Sequence, residues 1–175
     1  MIGLMAGIGF GLAATASAQV TNGGFETGDF TGWTQFGNTG FTGVSGNFGG
    51  VNPVGGSWQA FFGPVGSTGG ISQVLGLSAG SQYTVSFWLH SFGGTPNSFS
   101  ADFDGNNLMS LVDDGGFNYT QYSFNVTPSV NNPTLSFTFQ QNPSYYLLDD
   151  VSVRLVPEPA GMSLLALAGL LIRRR

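Results

Sequence analysis

The chain has no cysteine and no lysine, one histidine (His90) and, ahead of its last three residues, one arginine (Arg154). Each shortage removes a class of function. Without cysteine there is no disulfide and no thiolate, so stability must come from packing or from a metal held by other ligands. Without lysine or cysteine, Ser–Lys and His–Cys catalysis are excluded. Between Gln19 and Leu155 eight acids, Glu26, Asp29, Asp102, Asp104, Asp113, Asp114, Asp149 and Asp150, stand against that single arginine. A surface so poor in cations has no means of neutralising a phosphate backbone, and no nucleic-acid partner is expected. Helical periodicity is missing too: outside the two ends, no segment repeats apolar residues at helical spacing.

Catalysis finds little material in what is left. A single histidine permits a Ser–His–Asp triad by counting, but no nucleophile elbow is expected. The adjacent Asp113 and Asp114, followed by Gly115-Gly116, read as a turn. A two-carboxylate glycosidase needs its acids held apart across a cleft. The chain is expected not to be an enzyme.

What is present is glycine (29 residues) and phenylalanine (16). Short runs of Phe, Tyr, Val and Thr alternate with clusters of Gly, Pro, Asn and Asp, the pattern of strands and turns. Strands are predicted at 58–62, 70–75, 82–91, 98–104, 107–111, 120–126, 134–140 and 145–155, with Asp104-Gly105-Asn106-Asn107 a tight hairpin turn. About eight short strands in one domain argue for an all-β fold, an antiparallel β-sandwich of jelly-roll type. A signal helix before it and a short apolar helix after it complete the expectation.

Those two ends read as an address. Residues 1–18 are apolar and end in Ala16-Ser17-Ala18, the pattern of a signal peptide cleaved ahead of Gln19, though no basic residue precedes the apolar run. Residues 156–175 hold Pro157-Glu158-Pro159, an apolar run from Ala160 to Ile172, and Arg173-Arg174-Arg175. That run is shorter than the ~20 residues that span a bilayer, and terminal arginines favour a cytoplasmic end. The tail resembles the PEP-CTERM sorting signal of exported bacterial proteins. The resemblance implies transient membrane insertion, recognition by an exosortase-type membrane protease, and delivery to the cell surface or extracellular matrix. The domain would then occupy residues 19–155.

The body opens with Asn22-Gly23-Gly24-Phe25-Glu26, followed by Gly32-Trp33, and closes with Asp149-Asp150-Val151-Ser152-Val153. This pairing resembles the galactose-binding-like jelly rolls, which include carbohydrate-binding modules of glycanases. It implies a structural calcium tying the first strand to the last, with Glu26 and Asp149 among its ligands. The residues bear on that site independently. Strict alternation in 145–155 puts Asp149 with Leu147, Val151 and Val153 on one face and Arg154 on the other. A carboxylate among apolar side chains must be metal-bound, paired or strongly hydrogen-bonded. Two readings stay open: Asp149 and Glu26 hold calcium with the backbone at Gly24, or Asp149 caps loop amides.

Alternation also separates polar from apolar faces in the central strands. Trp88 and His90 fall on the polar side of 82–91, Ser100 and Asp102 on that of 98–104, Thr138 and Gln140 on that of 134–140. If these strands are neighbours, the six side chains line a shallow groove where a sugar ring would lie on the indole. The other reading is an ordinary solvated face with Trp88 under a loop. The expected function is non-catalytic binding of extracellular polysaccharide. The alternative is a structural or floc-forming matrix protein without a specific small ligand.

Overall fold

The computed structural model describes residues 20–142 and 144–157. The expected signal peptide and the tail from Glu158 onward, with their helices, lie outside these residues. Ten strands follow one another: β1 (Thr34–Gly37), β2 (Thr42–Ser45), β3 (Gln59–Phe62), β4 (Gly69–Val74), β5 (Tyr83–Ser91), β6 (Asn97–Phe103), β7 (Asn106–Val112), β8 (Phe117–Val126), β9 (Thr134–Gln141) and β10 (Tyr146–Leu155). The described residues contain no helix. All pairings are antiparallel. They build two five-stranded sheets, ordered β1-β4-β9-β6-β7 and β2-β3-β10-β5-β8. The expected jelly-roll sandwich is the fold. The two strands without a sequence-based expectation, β1 and β2, are four-residue edge strands, TQFG and TGVS, too short and too exposed to show alternation.

Alternation decides what goes inside. In β5, Tyr83, Val85, Phe87 and Leu89 are buried, and in β9, Leu135, Phe137 and Phe139 are buried. These side chains meet between the sheets. Phe62 of β3 stacks on Phe139 of β9 at 3.9 Å between ring centres, nearly parallel at 6°. Phe87 meets Phe137 edge-on at 5.0 Å. Buried aromatic pairs across the layer supply the stability that no disulfide provides.

The predicted hairpin joins β6 to β7, with Asp104 and Gly105 both at positive φ (52° and 75°) between the paired Phe103 and Asn106. Asp113 to Gly116 forms the β7–β8 turn. Buried Tyr146 reaches it, its hydroxyl bonded to Asp114 Oδ2 and to Asn97 Oδ1 (2.8 Å).

Candidate functional site

The opening motif earns each of its residues by position. Asn22 sits at φ 52° and its Nδ2 donates to Thr27 Oγ1 and to the carbonyls of Asp29 and Thr31 (2.7, 3.0 and 3.0 Å), closing a compact loop. Gly23 accepts from Val151 N–H through its carbonyl at 2.9 Å, and a Cβ there would lie 2.0 Å from Val151 O. Only glycine lets the chain lie this close to β10. Phe25 is fully buried and stacks on Trp33, whose indole N–H donates to Asn22 O at 3.1 Å.

Glu26 then faces the long connection between β2 and β3. Its carboxylate accepts from Ser57 N–H (3.0 Å to each oxygen) and Trp58 N–H (3.1 Å). Gly56, at φ 60°, must be glycine, because a Cβ would fall 2.2 Å from Glu26 Oε1. The same connection is held by Asp149. Its Oδ2 accepts from Val54 N–H (2.8 Å) and Gly55 N–H (3.3 Å), and its Oδ1 from Asp150 N–H (2.7 Å). Asp149 is 0% exposed. Burial pushes its carboxyl up to about 6, helped by the charge of Asp150, while the three amide donors hold it lower than burial alone would. Asp149 thus caps three backbone amides.

The route by which Asp149 becomes buried differs from the predicted one. Strict alternation breaks at a bulge between Asp149 and Ser152, where Asp150 takes φ 47°. Before the bulge Tyr146 and Leu148 face the core; after it Val151 and Val153 do. Asp149 and Leu147 thus point to the outer side of the sheet and are buried there beneath the 46–57 connection. Phe48 of that connection stacks on Phe61 at 4.3 Å. Tyr119 O–H donates to Gln59 Oε1 at 2.6 Å and Gln59 Nε2 to Val51 O at 2.7 Å, pinning the cover. Burial, together with the charges of Asp149 and Asp150, drives the Tyr119 hydroxyl far above its ordinary range. The phase change also puts Arg154 on the same outer side as Asp149, not the opposite one. Within the described residues its guanidinium makes one hydrogen bond, from Nε to Ser152 Oγ at 3.2 Å.

Where the cover ends, the outer face opens into a groove of about 510 Å³. Half-buried Trp88 lies in it; Ser86, Gln121, Asp150, Ser152 and Arg154 line it as well, with Val20, Gly23 and Gly24 as a wall. The register explains the grouping: Trp88 is opposite Asp149 on one side and Gln121 on the other, and Ser86 is opposite Ser152 and Ser123. An aromatic surface, amide and hydroxyl groups and one charge of each sign therefore share one concave site.

Solved structures resemble this fold. The carbohydrate-binding module TmCBM61, in complex with β-1,4-galactotriose, has a TM-score of 0.62 at 21% identity over 82% of this chain and 100% of that one. The CBM22-1 and GH10 modules of Clostridium thermocellum xylanase 10B with xylohexaose give 0.58 at 21%, over 81% of this chain and 29% of that one. The K3 cleaved adhesin domain of Lys-gingipain from Porphyromonas gingivalis gives 0.54 at 16%, over 80% and 99%. This is the jelly-roll fold of carbohydrate-binding modules. No family model matches the sequence, and no curated protein matches it.

Within this jelly roll the six residues expected to line one groove do not meet. Trp88 and His90 belong to β5; Ser100 and Asp102 (β6) and Thr138 and Gln140 (β9) belong to the other sheet. Consecutive strands can lie in different layers, as β5 and β6 do, and period-two alternation says which side of a strand is polar, not which layer it joins. Ser100 and Thr138 are direct cross-strand partners, and Asp102 accepts from Ser100 Oγ (2.9 Å) and Asn107 Nδ2 (3.0 Å). They form a hydroxyl-rich face on the far side of the molecule. His90 is not on a polar surface either: it is buried against Phe92 and Tyr119, at 4.6 and 5.6 Å between ring centres, and its Nδ1 has no hydrogen-bond partner. Burial holds its imidazole below the usual value.

Of the predicted metal residues, Gly24 lies near both of the others. A Cβ on Gly24 would lie 3.7 Å from Glu26 Cγ, 4.0 Å from Asp149 Oδ1 and 3.4 Å from Asp150 Oδ1. Among the described residues no three acidic or histidine side chains converge as a metal cluster. A G-x-S-x-G stretch does occur, contrary to expectation, at Gly76–Gly80. It lies in the β4–β5 connection, leads into a strand and sits at the end of β5 remote from His90, so it is no nucleophile elbow. Gln121, Asp150, Ser152 and Arg154 had no sequence signal as a group, because the bulge that gathers them is invisible in the residue pattern.

Proposed function

We propose that this protein binds polysaccharide without catalysing its cleavage, through the groove around Trp88. The observation that carries the reading is that half-buried indole set among hydrogen-bonding side chains in a concavity of about 510 Å³. The C–H face of a pyranose packs on an indole while its hydroxyls pair with amide and hydroxyl groups at the rim. Neighbours of the same fold, solved with galactotriose and xylohexaose, support the ligand class. A non-catalytic role is supported by the burial of His90 without a partner on Nδ1. Affinity electrophoresis against a panel of soluble polysaccharides tests the reading. Trp88→Ala should lose about tenfold or more in affinity, the loss of a stacked ring by analogy with base stacking. Unchanged retardation of a folded Trp88→Ala variant would remove this groove as the site.

The reading includes a structural calcium at the junction of the opening loop and β10. The donor set fits a hard cation: Asp149 and Glu26 offer carboxylate oxygens and the chain at Gly24 offers backbone, with no cationic side chain among the hydrogen-bond partners of either carboxylate. Bound there, the cation would offset the charge that burial makes costly on Asp149 and fix the 46–57 cover. We also propose export and sorting. Among the described residues the last backbone bond to the domain is Val156 N–H to Gln82 O, and Pro157 beyond it is exposed. An exosortase-type protease acting near Pro157-Glu158-Pro159 would release the domain from the apolar run and Arg173–Arg175, leaving it at the cell surface or in the matrix.

A further inference from the structure

We infer that the groove selects an acidic polysaccharide, one carrying uronate carboxylates, and that Arg154 is the residue that reads the carboxylate. This rests on the polysaccharide reading and narrows it. Arg154 is the one lysine or arginine of the body, and it lines the same groove as Trp88. A guanidinium has five N–H donors, and within the described residues one of them is engaged, by Ser152 Oγ. The side chain is exposed, on a bulged strand whose phase change turns it to this face. A planar fork in the same groove as an aromatic platform, opposite Thr84 and four residues along β5 from Trp88, suits a sugar chain bearing carboxylates: one ring lies on the indole and a carboxylate further along the chain meets the guanidinium in a charge-assisted pair. A neutral sugar would leave that fork without its matching acceptor.

The acidic groups nearby bear on this directly. Asp150 lines the groove as well. Its exposed carboxylate lies between the loop and the groove wall: a Cβ on Gly55 would lie 2.7 Å from Oδ2, and one on Gly24 3.4 Å from Oδ1. Asp149, opposite Trp88 in register, is sealed by its three amide donors. The excess of acids elsewhere on the body repels a polyanion at long range, and salt screens that repulsion beyond about 8 Å at physiological ionic strength. Selection therefore rests on the short-range pair at Arg154.

The test is isothermal titration of the full chain, at fixed free calcium, with a galacturonate oligosaccharide, its carboxyl-reduced counterpart and a neutral β-1,4-galacto-oligosaccharide. Wild type should bind the uronate form about tenfold or more tighter than the reduced form. Arg154→Gln should erase that difference, and Arg154→Lys should keep part of it as a point charge. Thermal melts establish that the exposed substitutions leave the fold intact. Equal affinity of wild type for the uronate and reduced forms, binding of the neutral oligosaccharide alone, or an Arg154→Gln variant that keeps the preference would each overturn the inference and leave the polysaccharide reading standing. Binding of none of the probes, nor of any member of the polysaccharide panel, would overturn both.

Discussion

Replacing Asp149 by alanine separates the amide clamp from the proposed metal. In wild type its carboxylate accepts three backbone N–H groups, at 2.8, 3.3 and 2.7 Å, from a position 0% exposed. Alanine leaves those donors without a partner, each at a cost of about 1–3 kcal/mol when it stays buried. The longest of the three counts for little. Two opposing effects reduce the total: water reaches part of the opened loop, and the burial cost that lifts the carboxyl toward 6 disappears with the group. The expected net loss is about 2–3 kcal/mol, within the range for breaking a buried hydrogen-bond network. Urea denaturation in chelator reads this term alone. Adding calcium at a hundredfold excess over its dissociation constant should then stabilise wild type by about 2.7 kcal/mol and the variant not at all. A variant within about 0.5 kcal/mol of wild type in chelator would refute the clamp, since surface-like changes fall in that range. Identical wild-type curves with and without calcium would refute the metal.

Other outcomes follow from the same geometry. Because burial holds His90 below its unfolded value of 6.5, its contribution to stability is complete above that pH and is lost as pH falls below it. Asp149 works the other way, its raised carboxyl adding stability as pH falls through about 6, so the His90 term is read as the difference between variants: His90→Phe should keep more of its melting temperature than wild type on acidification below about 6.5. Phe139→Ala should cost about 3–5 kcal/mol, and a double-mutant cycle with Phe62→Ala should return a coupling of about 0.5–1.5 kcal/mol for the stacked pair. Mass spectrometry of protein from its native host should find a chain beginning near Gln19 and ending near Pro157-Glu158-Pro159; mature protein still carrying Arg173–Arg175 would count against the sorting proposal.

Much of the fold was legible because burial on one side of a strand leaves a period of two. Tyr83, Val85, Phe87 and Leu89 announced β5, and Leu135, Phe137 and Phe139 announced β9. The opening Asn22–Glu26 and closing Asp149–Val153 segments point to one junction, and there Gly23 O accepts from Val151 N–H and Gly24 lies near Asp149 and Asp150. What alternation does not encode is which layer a strand joins. Alternation alone therefore groups Trp88 with Ser100 and Thr138, which lie on the opposite face of the sandwich. Nor does it encode a bulge. Asp150 at positive φ inverts the phase of β10, so Asp149 is buried under a loop instead of in the core, and Arg154 comes to the side of the sheet that carries Trp88. His90 reads as polar in sequence yet is covered by Phe92 and Tyr119, contacts set by the irregular β5–β8 pairing beside it.

The groove itself is tested most directly by the indole resonances of the three tryptophans during titration with a polysaccharide fragment that the protein retains. Trp33 is buried against Phe25 and donates to Asn22, and Trp58 lies against Gly28, away from the groove. A stacked sugar should shift the Trp88 indole N–H and the amides of Gln121, Ser152 and Arg154 while Trp33 and Trp58 stay in place. A titration that leaves Trp88 unmoved and instead shifts Ser100, Asp102 and Thr138 would place binding on the opposite sheet and contradict the account.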